Sequence, residues 1–158
     1  MSFRVKAKPQ SPRPPVPKEH EEQVAVFQWF RDNACARWSW LRLPPPDGRP
    51  AIFAVPNGGE RDVRVASRLR AEGVSSGVPD LCVPALRLWI EMKRRRGGTT
   101  SDAQDAWIAY LRAEGYSVEV AAGSDEAISH IMVHAEERER ARRAPRELTA
   151  PTGAGGST

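Results

Sequence analysis

Two short apolar runs, Leu81 to Pro84 and Leu88 to Ile90, constrain the fold of this 158-residue chain more than any other segment. They lie within GVPDLCVPALRLWIEMKRRRG and are only a few residues apart, which predicts a tight hairpin. Asp80 precedes the first run, whereas Glu91 and Lys93 follow the second. Side chains alternate along a strand, so Glu91 and Lys93 are predicted to share one face. The hairpin therefore gathers two carboxylates and an ammonium.

The chemistry of such a spot follows from its charges. Paired carboxylates with no histidine or cysteine nearby form an all-oxygen environment that favours Mg²⁺ or Mn²⁺ over zinc or copper. A bound cation would repel Lys93 unless the ammonium also faced a phosphate or a water losing its proton. This set suits hydrolysis of a phosphodiester, in which a metal activates water and a lysine orients it. The short pattern also occurs by chance as ordinary turn and edge chemistry, so neighbouring segments must support it.

The distribution of charge gives a second indication. The formal net charge is +4, and the basic run 93–96 directly follows the carboxylates. Such a run is usually a solvated surface, but beside a phosphodiester site it favours a nucleic-acid partner. Residues 1–18 are basic and proline-rich, and residues 138–158 are charged and then rich in Gly, Pro and Ser. Both are predicted to be disordered tails, which leaves residues 19–137 as one domain.

Signals for other classes of protein are missing. Cys35 and Cys82 have neither metal-ligand spacing nor the pattern of a disulfide framework, so we expect reduced, structural thiols. No apolar run approaches the length of a membrane span, and the N-terminus lacks the apolar core of a secretory signal. We therefore expect a soluble, cytoplasmic protein with no membrane association and no organic cofactor.

Apolar periodicity predicts an alternation of helices and strands. The predicted order is helix, strand, helix, strand, strand, helix, strand, helix, which indicates an α/β protein with a mixed β-sheet. The predicted helices cover residues 19–37, 61–72, 101–115 and 125–137, and the strands cover 51–55, 80–84, 88–93 and 116–121. Residues 51–55 are predicted to form a buried strand. The prolines and Asp47-Gly48 of segment 44–50 predict a loop.

Several acidic residues begin the first helix. Glu21 lies three residues before Val24 and seven before Gln28, which predicts that it falls on or beside the buried face. A carboxylate there is costly without a partner such as a metal ion. Glu19 and Glu22 are predicted to be solvent-facing acids of the kind that favour a helix N-terminus.

Two further segments each allow two interpretations. Gln104 completes a capping box with Ser101, but it lies one turn into the helix after the hairpin and could also reach back over the carboxylates. Asn57 precedes two glycines that form a turn. The same glycines, together with Arg61, could instead hold a phosphate group.

The order of these motifs along the chain resembles that of the VRR-NUC domain of the PD-(D/E)xK nuclease superfamily, in particular that of the compact stand-alone members of phages and bacteria. The motifs are a first-helix acid, PNGG-x-R, GVPDL, IEMK and S-x-x-Q-x-x-W, and the resemblance covers roughly residues 19–135. It implies a restriction-endonuclease-like fold, a mixed β-sheet flanked by helices. The proline loop and both tails lie outside it.

The resemblance also implies a metal site. Asp80 and Glu91 match the metal-binding acids, and with the backbone carbonyl of Met92 they are expected to hold one Mg²⁺ or Mn²⁺ ion. Glu21 best matches the first-helix acid and would complete the shell or hold a second ion. Glu22 is the alternative, because a misalignment by one residue exchanges the two.

Other residues match the reacting and DNA-binding positions. Lys93 completes the E-x-K motif and is expected to orient or deprotonate the attacking water, and Gln104 matches the glutamine of the following helix. Asn57 and Arg61 are expected to contact the nucleic-acid backbone. The basic residues expected to assist them are Arg94, Arg95 and Arg96.

The expected function is a metal-dependent endonuclease acting on structured or branched DNA, such as junctions or flaps. A homodimer, whose two sites would address two strands, fits such substrates. One alternative is a non-catalytic nucleic-acid-binding subunit of a DNA-processing complex. Buried carboxylates facing a polyanion speak against that alternative, because they would repel it. An RNA nuclease is the other alternative, since this chemistry does not distinguish the sugar.

Overall fold

A computed structural model describes residues 17–56 and 63–144. Its helices are α1 (Glu19–Trp29), α2 (Cys35–Arg37), α3 (Val63–Ala71), α4 (Asp102–Ala113) and α5 (Ser124–Arg143). Its strands are β1 (Phe53–Ala54), β2 (Leu81–Val83), β3 (Leu88–Lys93) and β4 (Ser117–Ala122). A π-helical turn, Phe30–Ala34, joins α1 to α2, so that helical structure runs through the predicted segment 19–37.

The four strands form one mixed sheet in the order β1-β2-β3-β4. β1 pairs with β2 and β2 with β3 in antiparallel fashion, whereas β3 and β4 are parallel. The parallel pair is connected through α4, because parallel neighbours need a crossover. This mixed sheet with flanking helices confirms the predicted α/β fold.

The hairpin of β2 and β3 is the centre of the sheet. Leu81 lies opposite Ile90, and a 3₁₀ turn, Pro84–Leu86, reverses the chain. Arg87 ends the turn in the left-handed conformation, with φ of 51°, which is unfavourable for a residue with a side chain. Its guanidinium lies 4.4 Å from the ring centre of Tyr116, a stacking contact that helps to hold this conformation.

Alternation along β3 separates the two faces of the sheet. Ile90 and Met92 are fully buried in the main core, where the π-helical turn after α1 contributes Phe30 and α5 contributes Ile131. Trp89 lies on the other face and packs against a smaller cluster formed by Ile108, Leu111 and Val118. Glu91 and Lys93 share the face of Trp89, because residues two apart on a strand point the same way. The carboxylate and the ammonium therefore lie on the face that α4 covers.

The first strand is shorter and more exposed than the sequence predicts. The buried strand expected over residues 51–55 is reduced to two residues, both exposed, and Phe53 retains 47% of its surface. β1 lies at the edge of the sheet and has one neighbour, so an apolar run there is not covered on both sides. Ile52 alone enters the core.

The last helix continues to Arg143, past the predicted domain limit at residue 137. Its charged end packs against the segment after α1: Trp40 Nε1 donates a hydrogen bond to Glu139 at 2.9 Å, and Arg37 pairs with Glu136 at 2.9 Å. The charged residues up to Arg143 thus belong to the folded domain. Neither α5 nor any other helix in the two described ranges is apolar and long enough to span a membrane.

Candidate active site

The site is built on two carboxyl groups from neighbouring strands. Asp80 immediately precedes β2, and its Oδ2 accepts a hydrogen bond from the backbone N–H of Met92 at 2.8 Å. Burial raises the pKa of Glu91 to about 7; the negative charge of Asp80 adds to the shift and Lys93 opposes it. Burial likewise raises the pKa of Asp80, against the hydrogen bond from Met92. Two carboxylates in this arrangement resist carrying negative charge together unless a cation joins them.

Lys93 and Gln104 complete the arrangement around Glu91. Lys93 Nζ lies 2.9 Å from Glu91 Oε1 and donates to Gln104 Oε1 at 3.0 Å. Gln104 Nε2 in turn donates to Glu91 Oε1. The same Gln104 Oε1 accepts from the backbone N–H of Ser101 at 2.9 Å, as part of a capping box. Gln104 therefore fulfils both interpretations: it caps α4 and fixes the side chains of the site.

The second carboxylate oxygen of Glu91 has no such contacts. Glu91 is 1% exposed, and its Oε2 atom is buried with no hydrogen-bond donor from the described residues, although the carboxyl groups of Glu91 and Asp80 are close enough to share a hydrogen bond when one of them is protonated. Burying a polar atom without a hydrogen-bond partner lowers the free energy of unfolding by about 1–3 kcal/mol. Proteins therefore keep such an atom mainly where a ligand, an ion or a water satisfies it. The neighbouring Asp80 supplies further oxygen donors. This oxygen-only set fits Mg²⁺ or Mn²⁺.

The described residues offer part of a coordination shell. In residues 17–56 and 63–144, no three His, Cys, Asp or Glu side chains converge closely enough to hold a metal ion. This matches the way Mg²⁺ is usually bound, through one or two carboxylates with water and substrate phosphate as the remaining ligands. The Asp80 and Glu91 pair would suffice as such an anchor.

Glu19 is the first-helix acid that acts on this pair electrostatically. Its negative charge raises the pKa of both Asp80 and Glu91. Glu21 instead lies exposed on the first turn of α1, where its carboxylate accepts a hydrogen bond from Lys18 N at 2.8 Å. Glu22 is 3% exposed but binds other partners. The structure therefore does not bring the predicted Glu21, or its alternative Glu22, to the pair, and Glu19 is the first-helix acid whose charge acts on Asp80 and Glu91.

The helical spacing explains this correction. The prediction counted from Val24, yet Val24 is 40% exposed, whereas Val26 and Phe30 are fully buried. Counting back from Val26 by four and by seven residues gives Glu22 and Glu19, which share the inward face. Glu21 is rotated about 200° from Glu19 around the helix, since successive residues differ by about 100°. The sequence therefore indicates the inward-facing acids of α1 once Val26 and Phe30, rather than Val24, are taken as its buried residues.

The basic run after β3 divides into two kinds of residue. Arg94 and Arg96 are exposed, as expected of residues that contact nucleic acid. Arg95, which was predicted to do the same, makes protein contacts: its Nε donates to Glu22 at 2.5 Å and its Nη1 to Asp125 at 2.8 Å. The other two predicted contacts, Asn57 and Arg61, lie outside the described residues.

Glu22, Arg95 and Ser124 form a clamp that joins three segments of the chain. Glu22 Oε2 accepts hydrogen bonds from Ser124 N at 2.8 Å and from Ser124 Oγ at 2.6 Å. Gly123 makes room for it, because a Cβ atom there would lie 2.8 Å from Arg95 Cγ and 3.3 Å from Glu22 Oε1. The clamp fixes α1, the helix that carries Glu19, against the segment that follows β3.

The clamp predicts a specific loss of stability in acid. The hydrogen bond from Arg95, with those from Ser124, lowers the pKa of Glu22 from 4.5 to about 2. Glu22 thus stabilises the fold fully above pH 4.5, and this contribution is lost as the pH falls from 4.5 towards 2. Glu22→Gln should lower the free energy of unfolding by about 2–3 kcal/mol at neutral pH. Urea unfolding followed by tryptophan fluorescence measures it.

Glu21→Gln is the matched control for this experiment. It makes the same change on the same helix at an exposed position, so its unfolding free energy should follow that of the wild type at every pH. The difference between wild type and Glu22→Gln should shrink between pH 5 and pH 3. A difference that stayed constant over this interval would show that ionised Glu22 does not stabilise the fold.

Comparisons with known proteins agree with the fold and with the motifs. A model of the VRR-NUC domain matches residues 18–125, which include every strand of the sheet and all of α4. A solved structure described as a VRR_NUC domain protein is 28% identical in sequence, with a TM-score of 0.58. The similarity covers 77% of this chain and 91% of that chain. No curated protein matches the chain. The matched segment contains Asp80, Glu91, Lys93 and Gln104.

Proposed function

This chain belongs to the VRR-NUC domain family, whose members are generally nucleases, and we propose that it is a metal-dependent endonuclease acting on DNA. The observation that carries the proposal is the buried Oε2 atom of Glu91, which no donor in the described parts of the chain satisfies although it lies in a cluster with Asp80 and Lys93. A domain that only bound nucleic acid would gain nothing from such a group, because buried carboxylates repel a polyanion.

Each residue has a defined task in this proposal. Asp80, Glu91 and the Met92 carbonyl would hold Mg²⁺ or Mn²⁺, which when bound polarises a phosphoryl oxygen and lowers the pKa of water. Glu19 adds a further negative charge that acts on both carboxyl groups. Lys93 orients the attacking water and stabilises the charge that develops on the phosphate. Gln104 holds the ammonium of Lys93 in place through its 3.0 Å hydrogen bond.

The exposed basic residues beside the site support DNA as the proposed substrate. Arg94 and Arg96 are exposed directly after Lys93, where they can contact phosphates next to the one that is cleaved. The formal charge of +4 favours a polyanionic partner in general. We extend the proposal to branched DNA and to a homodimer, in which two sites would address two strands.

Lys93→Ala tests the chemical step. We expect it to slow cleavage of supercoiled and branched DNA by at least about a hundredfold, because general acid or base groups contribute about 10²–10⁴-fold. Binding of the same DNA in EDTA should change little, since Lys93 is buried and the exposed arginines remain. Nicking assays with Mg²⁺, Mn²⁺ or EDTA measure the first effect, and fluorescence anisotropy measures the second.

Arg96→Ala is the control for Lys93→Ala: it should weaken DNA binding at low salt, while the DNA that is bound is still cut.

Cleavage by Lys93→Ala at the wild-type rate would remove the lysine from the mechanism. DNA that is bound but uncut by wild-type protein with either metal would instead favour a binding subunit. Parallel assays on matched DNA and RNA hairpins decide which sugar the site accepts.

Glu19→Gln and Glu21→Gln form a second matched pair, with one substitution at two positions of the same helix. We expect Glu19→Gln to weaken Mn²⁺ binding by roughly tenfold and to slow cleavage, because it removes a negative charge that acts on Asp80 and Glu91. Glu21→Gln should leave both unchanged. Calorimetric titration of Mn²⁺ gives the affinities. If Glu21→Gln lowered Mn²⁺ affinity and cleavage more than Glu19→Gln did, Glu21 rather than Glu19 would be the first-helix acid that supports metal binding.

A further inference from the structure

An apolar groove lies between α1 and the segment that leads into β1. Its volume is about 850 Å³, and its walls include Val24 and Phe27 from α1 with Leu43 and Phe53 opposite. Val24, Leu43 and Phe53 are three of the seven large hydrophobic residues that are exposed in the described parts of the chain. Exposed apolar residues that cluster in this way mark a binding surface more often than scattered ones do.

The groove follows the first helical segment of the chain. His20, near the start of α1, and Arg31, in the π-helical turn that follows α1, both line it and are eleven residues apart. This spacing corresponds to a rise of about 16 Å. A stacked strand of nucleic acid advances about 3.4 Å per nucleotide, so the groove can accommodate four or five of them. A strand in the groove would run along α1.

The charge around the groove suits a nucleic-acid strand. None of the described lining residues is acidic, whereas Arg31 and Arg49 line the groove together with His20. The two arginines pair with Asp32 and Asp47, outside the groove, at 2.7 Å and 2.6 Å. Both pairs are strongly exposed and therefore weak, so phosphates can compete for the guanidinium groups.

We propose that this groove binds unpaired nucleotides of the substrate. The inference rests on the proposed nuclease function and specifies its substrate as DNA with a single-stranded portion. A duplex presents phosphates and keeps its bases stacked inside, so it cannot satisfy an apolar groove. Unpaired bases can, because they pack on apolar and aromatic side chains while their phosphates meet cations.

A second copy of this chain is a less suitable occupant. A symmetric dimer brings the same patch of both copies together, so Arg31 and Arg49 of each would approach like charges. The sheet edge beside the groove is also short, since β1 comprises only Phe53–Ala54. It offers few backbone groups for pairing with another strand.

Binding to base-bearing and abasic strands tests the proposal. We expect full-length wild-type protein in EDTA to bind fluorescein-labelled oligothymidylate about tenfold more tightly than an abasic strand of equal length. Val24→Asp, which places a negative charge in the groove, should remove this preference. Val133→Asp is the matched control, because Val133 is a 53% exposed valine on α5 outside the groove. It should retain the preference.

Equal wild-type affinity for the two strands would overturn the proposal, as would an unchanged preference in Val24→Asp. A change in sedimenting mass in Val24→Asp without a change in strand preference would also overturn it, by assigning the groove to a second copy. Plasmid cleavage with Mg²⁺ or Mn²⁺ separates this inference from the nuclease proposal. Wild-type protein that shows the strand preference but cuts no DNA would contradict the nuclease function and leave the groove as a binding site.

Discussion

The arrangement depends on two carboxyl groups that the central hairpin holds together inside the protein. The pairing of Leu81 with Ile90 fixes Asp80 beside Glu91, and the backbone N–H of Met92 fixes the carboxylate of Asp80. Isolated, this pair would destabilise the fold, because burial raises the pKa of both groups and no donor in residues 17–56 and 63–144 satisfies Glu91 Oε2. A cation would remove both penalties together, so the same feature that costs stability creates a site for chemistry.

The surrounding structure acts mainly to keep this pair in place. α4 brings Gln104 onto the face that carries Glu91, and its capping box fixes the glutamine at the helix start. On the other side of the sheet, the clamp of Glu22 with Arg95 fixes α1 and hence the charge of Glu19. Helix, strand and loop residues thus reach one point from segments that are far apart in sequence. A nuclease site assembled in this way depends on packing as much as on its motif.

Local patterns predicted the parts of the site that depend on local structure. The hairpin, the shared face of Glu91 and Lys93 and the capping role of Gln104 follow from strand alternation and helix-start signals. The inward acid of α1 was missed because Val24 was taken for a buried residue, although a groove leaves it exposed. The contact between Arg95 and Glu22 spans 73 residues, and no local pattern reports such an ion pair. Apolar content alone likewise could not reveal that β1 lies at the sheet edge.

Anomalous diffraction from crystals soaked in Mn²⁺ shows whether Asp80 and Glu91 hold a divalent cation. We expect an anomalous peak about 2.1 Å from Glu91 Oε2 and from a carboxylate oxygen of Asp80. Crystals of Glu91→Gln should lack this peak. If wild-type crystals show no peak at this position, or show Glu91 Oε2 bonded to a protein donor or an ordered water instead, the pair does not bind the cation.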